Sequence, residues 1–274
     1  MSGKEKGVPP PPLLPRTGVD VHAHLDDPRF GNDLRAVLER AFAAGLAQIV
    51  QVFLSPRAWA EGKAAFDPWA QVYFTLGIHP TEAQNYGADT ESEMKEAIAR
   101  DLRIRALGEI GLDYHWKTCP PATQKTAFVR QLRLARSLDL PVVIHCREAE
   151  ADVLDILESE GFRDRPLLWH CFGGDTTLAE QIVARGWHMS VPGPVTFPAN
   201  RALRAAIAAV PAGRLCTETD APYLSPQPLR GKRNEPANTA YVIEAMAAAR
   251  GVPAQELWTA CGDNARRFFG IGAG

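Results

Sequence analysis

The sequence predicts an α/β fold, a closed (β/α)8 TIM barrel, and three observations carry that prediction. Eight short β-branched or apolar runs alternate with segments of helical spacing. No hairpin signal such as Asn-Gly separates consecutive runs, so right-handed parallel crossovers must join them. The first run is followed by His22-Ala23-His24-Leu25-Asp26-Asp27. An open doubly wound sheet, the structural alternative, usually has a glycine-rich phosphate loop there.

The strands are expected at Thr17–Val21, Gln48–Phe53, Val72–Leu76, Ile104–Leu107, Pro141–Ile144, Pro166–Trp169, Trp187–Val191 and Arg214–Thr217. Each has strand length and composition. Helical spacing marks Asp33–Ala44, Ser92–Arg100, Pro121–Leu138, Glu148–Glu160, Thr176–Arg185 and Asn200–Val210, and a last helix is expected at Ala237–Arg250. The segment 56–66 is the weakest helix, with Pro56 and Gly62 inside it, although proline suits a first helical turn.

The 274 residues divide into a short arm and one domain. Residues 1–17, MSGKEKGVPPPPLLPRT, carry four consecutive prolines and read as a disordered Pro-rich arm. The Leu13-Leu14 pair is too short for a signal-peptide apolar region. Residues 18–274 then match the roughly 250 residues of a single barrel.

Composition narrows the function. Hydrophobic residues make up 46% and charged residues 23%, which supports an ordinary core and excludes bulk disorder. Thirty Lys plus Arg face 32 Asp plus Glu, so no overall basic field draws nucleic acid and any phosphate-binding surface must be local. Apolar runs fall far short of the ~20 residues a membrane span needs. The five cysteines lack any C-x-x-C pair, which fits reduced thiols in a cytoplasmic protein. A monomer is expected.

In such a barrel the active site forms at the carboxyl ends of the strands. His22 and His24 end the first strand, Glu109 and Asp113 follow the fourth, His145 the fifth, His170 the sixth, and Glu218 and Asp220 the eighth. A period of two places both imidazoles of His22 and His24 on one side. A histidine closing a buried strand is more often structural than a ligand. Four histidines converging with Glu109 and Asp220 change that balance, because burying them unpartnered costs roughly 1–3 kcal/mol each. Two divalent ions remove the penalty: one held by His22, His24 and Asp220, a second by His145 and His170, with Glu109 bridging. Imidazole and carboxylate together suit Zn, Mn, Fe or Ni, and Mg less readily. Hydrolysis by a metal-activated water is the implied chemistry, with Asp220 as proton acceptor and Glu109 as the other catalytic carboxylate. Asp113 and Glu218 are expected to orient ligands by accepting the other imidazole N–H.

The motifs DVHAHLD, LGIHP, GEIGLDY, VIHCREA, WHCFGG, TETDAPYL and RNEP occur in this order between Gly18 and about Gly270. Together they resemble the TatD family of metal-dependent deoxyribonucleases, within the amidohydrolase-like barrels. The resemblance implies a divalent-metal phosphodiesterase acting on DNA as a 3′-to-5′ exonuclease. Some members are linked to abasic-site cleavage or to deacylation of aminoacyl-tRNA. The family's ligand positions coincide with the six residues taken above from strand ends. The resemblance also makes His79 a candidate for hydrogen bonding the scissile phosphate, against a simple turn role beside Pro80. The family often has His-Pro-His where this chain has His79-Pro80-Thr81.

Arg147 follows a ligand and either reaches a phosphate oxygen or braces Glu148 or Asp113. The run Arg230-Gly231-Lys232-Arg233 lies after the eighth strand, where such barrels often hold phosphate, so Lys232 and Arg233 are candidate substrate contacts against the alternative of a solvated surface. Tyr223 either stacks on a base or packs. His115, Trp116 and His188 read as structural, and Cys146 and Cys171 should point away from the cluster if their strands continue. DNA is the expected substrate, with RNA or tRNA as variants. The competing functions are a metal-dependent amidase, lactonase or aminoacyl-tRNA deacylase, and a non-catalytic nucleic-acid-binding barrel.

Overall fold

The computed structural model describes residues 12–272. Its strands are β1 (Gly18–Ala23), β2 (Leu46–Phe53), β3 (Val72–Leu76), β4 (Ile104–Asp113), β5 (Val142–Arg147), β6 (Leu167–Trp169), β7 (His188–Val191) and β8 (Leu215–Thr217). They pair in parallel in sequence order, and β8 returns to β1 to close the barrel. The helices are α1 (Leu34–Ala43), α2 (Pro56–Gly62), α3 (Ala88–Arg100), α4 (Pro121–Ser137), α5 (Glu150–Ser159), α6 (Thr176–Val183), α7 (Arg201–Ala209), α8 (Thr239–Arg250) and α9 (Ala254–Phe269). The (β/α)8 TIM barrel expected from the sequence is the fold. Among the described residues no helix is long and apolar enough to cross a membrane.

Alternation within the strands sorts two packed regions. Leu167, Trp169, Val142, Ile144 and Leu215 face the helices, while Leu168, Val143 and Cys216 join Val50 and Ala106 inside the ring. Phe268, Phe269 and Ile271 pack with that inner group. The consequence for the site is direct. His145, His170 and Glu218 each lie two residues past an inner side chain, so the same parity carries them to the barrel mouth.

Three differences from expectation have physical causes. Strand β4 runs on to Asp113, pairing it with Arg147, because Gly111 at φ +146 lets the two backbones approach where a Cβ would lie 1.9 Å from the His145 carbonyl oxygen. Glycine there extends the pairing instead of breaking it. Helix α9 was not expected after Arg250. Its Leu257, Trp258, Cys261, Ala265, Phe268 and Phe269 form an apolar stripe of helical period, and Trp258 lies under Gly18, where a Cβ would meet its ring at 1.9 Å. The end of the predicted arm is also docked: Leu14 is buried and the Pro15 carbonyl accepts from Trp258 Nε1 at 2.8 Å. Residues 1–11 of that arm lie outside the described residues.

Candidate metal centre

The first and last strands are clipped together by Asp20. Its Oδ1 accepts from the Thr219 N–H at 2.9 Å and the His22 N–H at 3.3 Å, and its other oxygen meets Thr219 Oγ1 at 2.5 Å. Thr219 Oγ1 donates this short bond, and burial pushes the Asp20 carboxyl up to about 8 against the hydrogen bonds it receives. Above the clip, the Asp220 N–H donates to the His22 carbonyl at 2.9 Å and the His24 N–H to that of Ala221 at 2.7 Å. These bonds set His22, His24 and Asp220 side by side.

Glu109 stands between two groups of imidazoles. Its Oε2 lies 3.3 Å from His22 Nε2 and 3.7 Å from His24 Nε2. Those two nitrogens are 3.2 Å apart, and Asp220 Oδ1 lies 3.4 Å from His24 Nε2 and 3.9 Å from His22 Nε2. On the other side, Glu109 Oε1 lies 2.5 Å from His145 Nδ1, 3.3 Å from His170 Nε2 and 3.6 Å from His79 Nε2. Atoms about 2.1 Å from one tetrahedral ion stand about 3.4 Å apart. The spacing of the first group therefore fits a divalent ion, and on the other side the ligand atoms of His79, Glu109 and His145 lie within 4.8 Å of one another.

The imidazoles are aimed by groups behind them. Asp113 Oδ2 accepts from His145 Nε2 at 2.9 Å, and Glu218 Oε2 from His170 Nδ1 at 2.8 Å. Each carboxylate thus lies within hydrogen-bonding distance of the imidazole nitrogen turned away from Glu109. For His145 this leaves the lone pair of Nδ1 against the Glu109 carboxylate, an arrangement that requires a cation or proton between them. Two buried atoms of this cluster, His22 Nδ1 and Glu218 Oε1, have no hydrogen-bond partner among the described residues.

Burial opposes charge on every member; attraction overcomes it for Glu109, Asp220, His24, His145 and His170, whereas burial and then His170 hold His22 below its ordinary value. For Glu109, burial raises the carboxyl but His170, His79, His145 and His22 hold it well below the usual range. For Asp220, burial is likewise overcome by the hydrogen bond from His24 and the charges of His170 and His24. Despite burial, Glu218 and Glu109 carry His170 well above the ordinary imidazole value, and Glu109 and Asp113 raise His145. His79 behaves differently: burial, then the neighbouring His145, push it down to about 3. Its Nδ1 accepts from the Thr81 N–H at 3.2 Å, so neutral His79 carries its proton on Nε2. That nitrogen faces the second group as a donor, not as a lone pair.

Several residues escaped sequence reasoning. Gln124 on α4 holds both the N–H and the carbonyl of Asp113, each at 2.8 Å, and Gln131 holds those of Ile78, before His79, at 2.8 and 3.1 Å. Two glutamines seven residues apart on a buried helix face were the available signal. The expectation that Cys171 points away holds only for a continuing strand, and β6 ends at Trp169. The φ of +52 at Cys171 ends the strand alternation, and its sulfur lies within 4.8 Å of ligand atoms of His170 and Asp220.

The rim separates the predicted substrate contacts. Lys232 is exposed. Arg147 is also exposed and braces neither Glu148 nor Asp113; its guanidinium lies 5.7 Å over the Trp116 ring. Arg233 is committed elsewhere, donating to both oxygens of Asp33 at 2.8 and 2.7 Å and lying over the Phe30 ring. Tyr223 is 48% exposed, 6.2 Å from the His24 ring, and Trp116, expected to be structural, is 55% exposed. They follow β8 and β4, on opposite sides of the mouth. His115 pairs with Glu148 at 2.7 Å, outside the cluster.

Comparison with known proteins follows the same pattern. YabD of Bacillus subtilis, named an uncharacterized metal-dependent hydrolase, is 35% identical over 252 residues, covering 92% of this chain and 98% of its own. A protein of Enterobacter lignolyticus named 3′-5′ ssDNA/RNA exonuclease TatD is 33% identical, over 92% of this chain and 98% of its own. The crystal structure of YjjV, a TatD homolog from Escherichia coli K12, superposes with a TM-score of 0.87 at 30% identity, covering 93% of this chain and 99% of that one. Residues 19–270 match the family model described as TatD related DNase, and the chain belongs to that family.

Proposed function

We propose that the protein is a divalent-metal-dependent phosphodiesterase that removes nucleotides from the 3′ end of DNA. The observation that carries this reading is the two-sided position of Glu109, with Oε2 toward His22 and His24 and Oε1 toward His145 and His170. His22, His24 and Asp220 would hold one ion, His145 and His170 a second, and Glu109 would bridge them. Two such ions, when bound, would supply polarisation of a water and neutralisation of charge in a displacement at phosphorus. The imidazole content favours Zn, Mn, Fe or Ni over Mg.

The remaining work falls to the chain itself. Asp220, held ionised by His24 and His170, accepts the proton of the attacking water and returns it to the leaving oxygen. His79 donates from Nε2 to a nonbridging phosphate oxygen, its tautomer fixed by Thr81. Arg147 and Lys232 meet phosphates farther along the strand, and Tyr223 and Trp116 offer ring faces to unpaired bases on either side of the mouth. The exonuclease name of the Enterobacter relative supports a nucleic-acid substrate for this site.

The test is a screen of metal-stripped protein, reconstituted ion by ion, against labelled single-stranded DNA, duplex DNA, RNA and carboxylic esters. Release of mononucleotides from a 3′ end, restored by one or more divalent ions, is expected. Turnover of esters or amides without cleavage of any nucleic acid would overturn the reading in favour of an amidase or lactonase.

A further inference from the structure

The opposite end of the barrel, where β6, β7 and β8 begin, holds an open cavity of about 700 Å³. Arg165, Arg214, Arg267 and His188 line it, with Phe268 as an apolar wall and Asp164 as the one carboxylate among the described residues. Arg165 is taken up by Asp139 at 3.1 Å. Among the described residues the other two guanidiniums have neutral acceptors: Arg214 donates to the Gly186 carbonyl at 2.5 Å and Arg267 to Asn264 Oδ1 at 2.6 Å.

His188 registers the surplus of positive charge. Burial, then Arg214 and Arg267, push its imidazole down to about 4, against the Gly213 carbonyl. Its Nδ1 and the Nε of Arg165 are buried without protein partners. Three guanidiniums set against the carboxylates of Asp139 and Asp164 among the described residues leave positive charge in excess. An anion with several acceptor oxygens offsets it.

We propose that this cavity is a binding site for a small phosphomonoester anion, whose oxygens are held by the guanidinium forks of Arg214 and Arg267. Planar forks recognise phosphate bidentately, and two unpaired guanidiniums match a dianion. The volume falls within the roughly 300–1,000 Å³ of small-molecule sites, enough for a sugar or nucleoside beyond the phosphate. The site lies at the end of the strands remote from Glu109 and does not depend on the chemistry proposed there.

The experiment titrates inorganic phosphate, ribose 5-phosphate and deoxyadenosine 5′-monophosphate into the metal-loaded protein by calorimetry, with His188 followed by NMR of histidine-labelled protein. Saturable binding that shifts the His188 ring signals and weakens at least tenfold in Arg214→Gln/Arg267→Gln is expected, with cleavage of a small chromogenic phosphodiester unchanged. Tighter binding of one organic ester than of phosphate supports the site and identifies what lies beyond the phosphate. Equal affinity for all three supports a site that reads phosphate alone. The variants Arg214→Lys and Arg267→Lys keep the charge without the fork, so intermediate losses are expected if the double glutamine variant does not fold. His188 signals unmoved at saturating concentrations of all three, in the unaltered protein, would overturn the proposal.

Discussion

Glu218 decides which nitrogen of His170 faces the cluster. By accepting from Nδ1 at 2.8 Å it keeps Nε2 turned toward Glu109, while Ser190 Oγ donates to the same carboxylate oxygen at 2.6 Å. Removing such an orienting carboxylate typically costs 10–100-fold in metal affinity. Glu218→Ala is expected to show a loss of about that size, measured by competition with a chromophoric chelator. Glu218→Gln retains an acceptor oxygen and should lose less. Equal affinity in all three proteins would show that His170 is oriented by its neighbours in the barrel alone.

Metal loading should reach two ions per chain, and His22→Ala with His24→Ala should empty one site. Elemental analysis after incubation with Mn²⁺ or Zn²⁺ checks this; no bound metal in the unaltered protein would contradict the assignment. Loading should also release protons. In the metal-free protein His170 stands well above its usual value and His145 is raised, so each must lose a proton before its nitrogen can coordinate. Affinity is therefore expected to rise with pH, and calorimetry in buffers of different ionisation enthalpy measures the protons released.

Asp220→Asn should leave the barrel folded and part of the metal affinity intact, because the amide oxygen can still coordinate. It cannot accept a proton. A loss of roughly 10²–10⁴-fold in turnover is expected, and near-normal cleavage at full metal loading would remove Asp220 from the role of base.

Lys232 and Arg233, adjacent in sequence, should separate in experiment. Lys232→Ala is expected to weaken DNA cleavage and flatten its salt dependence by up to about 0.7 in log affinity against log salt per lost phosphate contact, while sparing a small chromogenic diester. Arg233→Ala should instead lower the melting temperature, because it releases Asp33 and uncovers Phe30. An unchanged melting point together with a DNA-specific loss would reverse this assignment.

His188 sets a pH dependence of stability independent of the metal centre. Its ordinary value is 6.5 and its folded value about 4, so between these pH values the unfolded chain binds the extra proton. The contribution is complete above pH 6.5 and is lost as pH falls toward 4. His188→Gln should make the melting temperature fall less steeply across that window, as scanning calorimetry would register. A slope unchanged by the substitution would contradict the depressed value.

The strand ends were legible because alternation within a strand is local. His145 and His170 could be placed at the mouth from Val143 and Leu168, two residues before each, without knowing any partner. What was not legible depends on contacts made across the fold. Arg233 reads as a free cation until Asp33, 200 residues away, takes it. Cys171 turned inward because its backbone φ is positive, which the alternating pattern does not record. The expected fourth strand stops at Leu107, yet β4 continues through Gly108 and Gly111 to Asp113. Helix α9 carried an ordinary amphipathic signal, but eight alternating units already completed the expected barrel without it.

The clip between Asp20 and Thr219 has a consequence for how the protein comes into being. Thr219 and Asp220 are made almost two hundred residues after Asp20, His22 and His24. A chain emerging from the ribosome amino end first exposes its paired imidazoles long before the carboxylate that completes their group has been synthesised. Through that interval the first strand lacks its final neighbour, and the His22–His24 pair lacks the Asp220 side of its cage. The finished metal centre thus reports that translation has passed residue 220 and that the ring of strands has closed.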